Sequence, residues 1–472
     1  MKKFLSVFLC CVMVTVCLCF SSSAAEEKPV LYLNYGNIIV DEFGISGYDV
    51  NGRAVCVDNS PGCIITQKNP DVSINKGIEI SSANCNIELL NLNIMRFNEY
   101  NCALAVQDNS EVTVTLSGVN HLVSGTYRAG LEVGMDSKVT VNGDGTLYAQ
   151  SSLQAGIGGG NGQSNGTLII DSGTIFANGG ADGYSAGIGG GTNGGGGNIT
   201  VNGGFVYAQG GLYASGIGGG FMSGGGNITV NGGVVTAIAG AGGAGIGSGY
   251  LSMSDTNVVI NGGSVKAAAG TGGENIGNGM KPATPFSGVK NSDGNTVSPV
   301  NMTVNGFDSI YINGIDTSPI TSLHPDDSSL YLYSDSTPKI ITAYMQDGSV
   351  MFFSFNSSGV EQIYPFAQNS ERFCDKLITD SPSSVSVSDG FTVQNQKDLY
   401  SGSVRVDSFE SVLRGDVNSD GSLNGMDAVI CKCAANSMLA DALAVKISDA
   451  DGNGTVNDND VSVLVQYGLG GN

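Results

Sequence analysis

Residues 198–220 read Asn198-Ile199-Thr200-Val201-Asn202-Gly203-Gly204-Phe205-Val206-Tyr207-Ala208-Gln209-Gly210-Gly211-Leu212-Tyr213-Ala214-Ser215-Gly216-Ile217-Gly218-Gly219-Gly220. Apolar and polar residues alternate in two short runs, and Gly-rich turns separate these from a Ser-Gly-Ile-Gly piece, which is the pattern of strands and not of helices. The block recurs along the chain. Its last piece places Ile at 157, 188, 217, 246 and 276, at spacings of 31, 29, 29 and 30. Its first piece returns as Val139–Asn142, Leu168–Asp171, Ile228–Asn231 and Val258–Asn261. A unit of three short strands cannot bury its own apolar face, but parallel stacking of successive units does so and completes the backbone ladders. The repeat therefore predicts a mainly β chain whose residues 26–280 form a right-handed parallel β-helix, with roughly eight or nine coils. Paired hairpins in a sandwich would recur in mirrored order, and here the order is constant. Upstream, Val55, Ile78, Leu104 and Leu131 carry the rhythm at shorter spacings of 23, 26 and 27.

Aligning the units also assigns faces. In the third-strand position Leu147, Ile175, Val206, Val235 and Val265 stack, and two residues on Ala149, Ala177, Ala208, Ala237 and Ala267 stack. Period-two alternation sends both sets inward. The residues between them are Tyr148, Phe176, Tyr207, Thr236 and Lys266, and the Lys marks this as the outward face. Adjacent coils lie about 4.8 Å apart, so Tyr148, Phe176 and Tyr207 form an aromatic strip whose rings can stack on the C–H faces of a sugar. Cross-strand packing alone is the plainer role for such rings. The column Asn142, Asp171, Asn202, Asn231 and Asn261 reads as a structural turn ladder that satisfies corner backbone groups.

Composition narrows the function. The 472 residues include 72 Gly, 42 acidic against 20 basic side chains, and a formal charge of −22. Nucleic-acid affinity rests on cations that displace counterions, so such an acid excess argues against it. With 41% hydrophobic and 13% charged residues the chain is not of disordered composition. Gly156–Gly160 superficially resembles a phosphate loop, yet it recurs in each unit and no Lys completes it.

Met1-Lys2-Lys3, an apolar run from Phe4 to Phe20 and Ser21–Ala25 form the pattern of a secretory signal peptide, residues 1–25. Seven cysteines follow it, too scattered for a disulfide framework, although Cys56 and Cys63 are close enough in sequence to bridge. Residues 281–300 read as a turn-rich linker and 301–378 as a small β module, with strands at Ser329–Tyr333 and Ile340–Phe355 and a turn at Gln346–Ser349. Residues 379–412 read as an extended linker.

The strongest chemical signal is at the C-terminus. Asp416, Asn418, Asp420, Asn424 and Asp427 occupy positions 1, 3, 5, 9 and 12 of a loop with Gly421 at position 6. Asp449, Asp451, Asn453, Asn457 and Asp460 repeat the pattern around Gly454, 33 residues later. Calcium takes oxygen ligands on a sharply turning loop, and the carbonyls of Ser422 and Thr455 at position 7 complete each set. Helical patterns follow at Ala428–Ala435 and Val461–Tyr467.

Two such loop-and-helix units over residues 413–472 resemble a type I dockerin. The resemblance implies that two Ca2+ ions fold the module and that it binds a cohesin domain on a scaffolding protein, within a cellulosome or related cell-surface assembly. The partner-facing pair after position 9 is Gly425-Met426 in one repeat and Asp458-Asn459 in the other, which implies one binding orientation in place of the family's two. The coil region also resembles β-helical carbohydrate-binding proteins.

Dockerins carry enzymes as well as binders, so catalysis has to be weighed. From 150 to 280 the charged residues are Asp171, Asp182, Asp255, Lys266 and Glu274, a poor supply for the carboxylate pair of a hydrolase or the cation and calcium carboxylates of a lyase. Arg128 and Glu132 in the earlier coils have no partner specified by spacing, and His121 and His324 stand alone. The sequence thus favours a secreted, dockerin-borne β-helix that binds plant polysaccharide. A β-helical polysaccharide lyase or glycoside hydrolase is the first alternative, and a non-catalytic adhesin or stalk the second.

Overall fold

The computed structural model describes residues 28–282 and 285–303, much of 305–363, short strands between 371 and 393, and residues 410–418, 422–436 and 447–468. The signal-peptide reading at 1–25, the turn at 347–349, Cys374 and Asp420 lie outside the described residues.

The repeat winds into a parallel β-helix with three sheets. The first sheet has nine strands from Val30–Tyr32 to Thr256–Ile260, and the second has seven from Asn93–Met95 to Ser264–Ala268. The third has eleven, nine of them parallel coil strands ending in Ile276–Gly277 and two forming an antiparallel hairpin at its start. Seven coils therefore carry all three strands and the first two carry only two. The register follows the sequence repeat: Ile157 pairs with Ile188, Ile188 with Ile217, and Ile217 with Ile246.

Val55 does not open a coil. It lies in Ala54–Val57, antiparallel to Gly44–Tyr48, and the coil position assigned to it belongs to Ile38, which pairs with Ile78. The cause is local turn chemistry: the Asp49 carboxylate accepts from the backbone N–H of Asn51 and Arg53, and Gly52 adopts φ +80°, which closes a hairpin inside the first coil. Gly47 of this hairpin lies against Leu31 and Ile38, so the hairpin covers the end of the coil interior. At the other end Val289 and Val297 are buried and Phe286 packs on the same core, while Lys290 pairs with Val259. The 281–300 segment thus closes the last coil.

One apolar core runs the length of the coils. Leu147, Ile175, Val206, Val235 and Val265 are at most 1% exposed, and so are Ala149, Ala177, Ala208 and Ala237. Burying each Leu, Ile or Val stabilises the stack by about 1.5–3 kcal/mol. Asn202 donates to Asp171 Oδ1 at 2.7 Å, Asn231 to Asn202 at 2.8 Å and Asn261 to Asn231 at 2.7 Å. The ladder ends where Ser292 N–H donates to Asn261 Oδ1, and its first acceptor is a carboxylate, which needs no donor of its own.

Tight bends explain the repeated Ile-Gly pair. Ala186 N–H donates to Gly190 O at 3.0 Å, and Ser215 N–H to Gly219 O at 3.1 Å, so the chain reverses within five residues while its Ile points inward. Gly189 has φ +133°, and a Cβ there would lie 2.0 Å from Gly218 O of the next coil. No side chain fits.

Beyond the coils, Ser298–Thr303 pairs with Ser329–Ser334, and Phe307–Ile312, Lys339–Met345, Val350–Asn356 and Gly359–Ile363 form a four-stranded antiparallel sheet. This module packs on the outer face of the second coil sheet. Val234 is buried in its core beside Ile310, Leu330 and Ile341, and Phe205 packs against that core. His324 is 3% exposed and bridges the interface, with Nδ1 2.6 Å from Thr236 Oγ1 and Nε2 2.9 Å from Ser264 Oγ. The outward position occupied by Thr236 is therefore buried by the module and does not face solvent.

Among the described residues the C-terminal module shows the helices α1 (Gly425–Ala435) and α2 (Asp458–Gly468). Both begin within the proposed metal loops, three residues ahead of the sequence patterns. In α1 the Asn424 side chain accepts from Met426 N–H and Asp427 accepts from Asn424 N–H, a capping box that starts the helix at the loop's ninth position.

Candidate functional site

The two C-terminal loops superpose in their hydrogen bonding. Asp427 accepts from the N–H of Asn418 at 3.2 Å and Asn424 at 2.9 Å, and Asp460 accepts from Asp451 at 3.1 Å and Asn457 at 2.8 Å. Asp449 accepts from the N–H of Asn453 and Gly454 at 3.0 and 2.9 Å, and Asn459 N–H donates to Asn457 Oδ1. Gly452 and Gly454 take φ +70° and +86°, the left-handed backbone that turns the loop toward its own carboxylates.

The residues fit a hard cation. Asp427 and Asp460 are fully buried, and Asp416 and Asp449 are 4% and 2% exposed. Among the described residues neither Asp427 nor Asp460 has an ion pair with Lys or Arg, while Arg414 Nη1 stands 3.8 Å from Asp449. A buried carboxylate without a cation is strongly destabilising. Carboxylate oxygens of Asp449, Asp451 and Asp460 come within 4.8 Å of one another, which gathers loop positions 1, 3 and 12 around one point. Asn453, Thr455 and Asn457 hold positions 5, 7 and 9 of the same loop, and Asn418, Ser422 and Asn424 hold positions 3, 7 and 9 of the first. An ion bound there supplies positive charge that lets the loops close on α1 and α2.

The helix starts differ on their surfaces. Gly425 and Met426 are exposed with Val429 beside them, an apolar end, whereas Asp458 and Asn459 are exposed and polar, and the Asp458 carboxylate takes the Lys432 ammonium from α1.

On the coils, Tyr148 pairs with Phe176 and Phe176 with Tyr207 across adjacent strands. Tyr148 and Phe176 stack with centroids 4.9 Å apart and planes 6° apart, while Phe176 and Tyr207 are tilted at 6.0 Å. His121 extends the strip by one coil, stacked on Tyr148 at 4.7 Å. The His was legible as the same column one unit earlier. The strip ends at Phe205 and Thr236, where the β module lands.

A second group of rings escaped the repeat alignment. Tyr184 and Tyr213 stack at 5.9 Å, and Tyr213, Phe221 and Tyr250 lie within 5.2–6.0 Å of one another. They come from turns on the two sides of the tight bends, joined between coils by Phe221 N–H to Tyr184 O and Tyr250 N–H to Tyr213 O.

Arg128 and Glu132 also meet. Glu132 is 1% exposed and receives Arg128 Nε at 2.7 Å, Gln107 Nε2 at 2.7 Å and Ala129 N–H at 3.3 Å. Burial works against the Arg128 charge, but the Glu132 hydrogen bond and charge outweigh it and raise its pKa above the ordinary value. Cys63 is a thiol buried within the coils, so it does not bridge to Cys56 on the exposed hairpin. Burial pushes Cys63 and Cys102 up to about 12 and Cys85 to about 11, which leaves them inert as nucleophiles.

Comparison with known proteins gives matches at both ends of this description. The type I dockerin domain family matches residues 414–467, and the β-helix repeat family matches 139–161, 168–192, 199–221 and 228–250. No curated protein and no solved structure gives a significant match. Dockerin domains bind cohesin domains and generally bind calcium, which places the chain among extracellular cellulosome components. No helix among the described residues is long and apolar enough to cross a membrane. The chain carries a C-terminal type I dockerin domain behind a β-helix repeat domain.

Proposed function

We propose that this protein is an exported, calcium-dependent cellulosome component whose β-helix holds plant cell-wall polysaccharide while its dockerin holds a scaffold cohesin. Two Ca2+ ions occupy the dockerin. Asp416, Asn418, Asp420, Ser422, Asn424 and Asp427 serve the first, and Asp449, Asp451, Asn453, Thr455, Asn457 and Asp460 the second. Met426 with Gly425 meets the cohesin through an apolar patch, and the exposed Asp458 and Asn459 make the opposite end too polar for the same contact, which favours one orientation. Export follows from the Lys-led apolar segment at residues 1–25.

The observation that carries the glycan reading is the column of His121, Tyr148 and Phe176, stacked, with Tyr207 tilted at its end, on a coil face that is otherwise nearly uncharged. Flat rings at strand spacing offer successive platforms to the apolar faces of an extended sugar chain. Affinity electrophoresis on cellulose derivatives, xylan and pectin, paired with reducing-end and unsaturated-product assays, tests this. Retardation without product is expected, and Tyr148→Ala with Phe176→Ala should weaken it about tenfold per ring. Product release would instead establish a lyase or hydrolase.

A further inference from the structure

A cleft of about 480 Å3 lies beside the early tight bends, lined by Tyr100, Gln107, Tyr127, Arg128, Asn161 and Gln163. Its volume is that of an ordinary small-molecule site. Tyr100 and Tyr127 come from equivalent turns of successive coils, with ring centroids 5.1 Å apart and planes 32° apart. Asn161 is held at the opposite wall by its N–H, which donates to Tyr127 O at 3.0 Å. The buried Glu132 lies behind this lining, held to Arg128 and Gln107, and Gly160 passes so close that a Cβ there would lie 2.8 Å from Glu132 Oε2.

The polar groups are oriented and available. Glu132 fixes Arg128 through Nε, and no hydrogen bond or ion pair among the described residues engages the Arg128 Nη groups. Gln107 is fixed through Nε2, which leaves its Oε1 as an acceptor. The side-chain amides of Asn161 and Gln163 are exposed and have no hydrogen-bond partner among the described residues. Aromatic rings beside planar donors and acceptors form the chemistry that recognises a pyranose, whose ring has apolar faces and a hydroxyl edge.

Charge selects among sugars. The guanidinium is already balanced by Glu132 at 2.7 Å, and Glu99, exposed and next to Tyr100, adds negative charge at the rim. A carboxylate-bearing sugar would meet no unbalanced cation here, in a chain of net charge −22. Vicinal neutral hydroxyls can instead take the Nη donors and the amide oxygens together. Tyr100 is 68% exposed, so the cleft opens to solvent and admits a sugar within a chain.

We infer that this cleft is a binding subsite for neutral polysaccharide, of the glucan or xylan kind, and that it discriminates against polyuronates. The inference rests on the polysaccharide-binding reading above but concerns a different set of residues.

The test is affinity electrophoresis of the full chain in calcium, on xylan, β-glucan and polygalacturonate, for the wild type, Tyr127→Ala, Gln163→Ala and the strip variant Tyr148→Ala. Retardation is expected on a neutral glycan and not on polygalacturonate, with affinity reduced about tenfold by Tyr127→Ala and severalfold by Gln163→Ala. Because Gln163 is exposed, its variant keeps the test sound if Tyr127→Ala fails to fold. Retardation that both cleft variants retain and Tyr148→Ala loses would overturn the subsite while leaving the polysaccharide reading intact. Preference for polygalacturonate would overturn the charge argument, and no retardation on any glycan would remove the general reading and the subsite with it.

Discussion

The β-helix and the dockerin solve the same problem of stability by opposite means. Between residues 150 and 280 the coils carry only five charged side chains and rely on a continuous apolar core and on backbone ladders shared with the next coil. Among the described residues the dockerin core gathers Val417, Ala428, Cys431, Ile447 and Leu464, set between buried carboxylates. A repeat can lean on its neighbours, whereas a module of this size has little burial to set against its ordering entropy, and type I dockerins generally bind calcium. The proposed function thus gives one chain a part that rests on its own repeat and a part whose fold rests on an ion.

The sharpest way to break that contrast is to remove calcium. Chelation should abolish the helical circular-dichroism signal of α1 and α2 and cohesin capture, since an ion at a thousandfold excess over its Kd contributes about 4 kcal/mol. The calorimetric transition of the coils should be unchanged. A shift of both transitions together would mean that the two parts are one cooperative unit.

Within the coils a large effect should come from Gly189→Ala. The new Cβ would lie 2.0 Å from Gly218 O at a φ of +133°, so the bend must open between two coils. A loss of about 4 kcal/mol or more is expected in denaturant unfolding, together with exposure of Ile188. The dockerin should not respond.

A smaller effect is expected where the β module meets the coils. His324→Ala leaves the hydroxyls of Thr236 and Ser264 buried beside a cavity, at a cost of about 2–3 kcal/mol. Limited proteolysis should then cut the β module while the coils stay protected, and equal protection would show that the module is held by its apolar contacts alone.

The legibility of these features follows from how far apart their parts lie in sequence. The dockerin could be read because each loop packs its oxygen-bearing residues into twelve positions, and the coils because their register copies the period of the sequence. Spacing misled at Val55, where an Asx turn and Gly52 built a hairpin that the period alone imitates. His324 looked solitary because its partners Thr236 and Ser264 are 88 and 60 residues away. The rings of Tyr184 and Phe221 belong to different turns of adjacent coils, which align only once Ala186 and Gly190 close the bend. Arg128 and Glu132 were singled out, but the cleft above them needed Tyr100 and Asn161 from the coils on either side.

The hairpin at Gly44–Val57 and the Val289–Val297 segment also decide what this molecule does in company with its own kind. A parallel stack ends in two unsatisfied sheet edges, and the last coil of one copy is a template for the first coil of another. The hairpin and the Val289–Val297 segment shield the apolar interior at the two ends of the stack. Deleting both covers should let copies stack end to end, and covers of this kind let coils be gained or lost in evolution without loss of solubility.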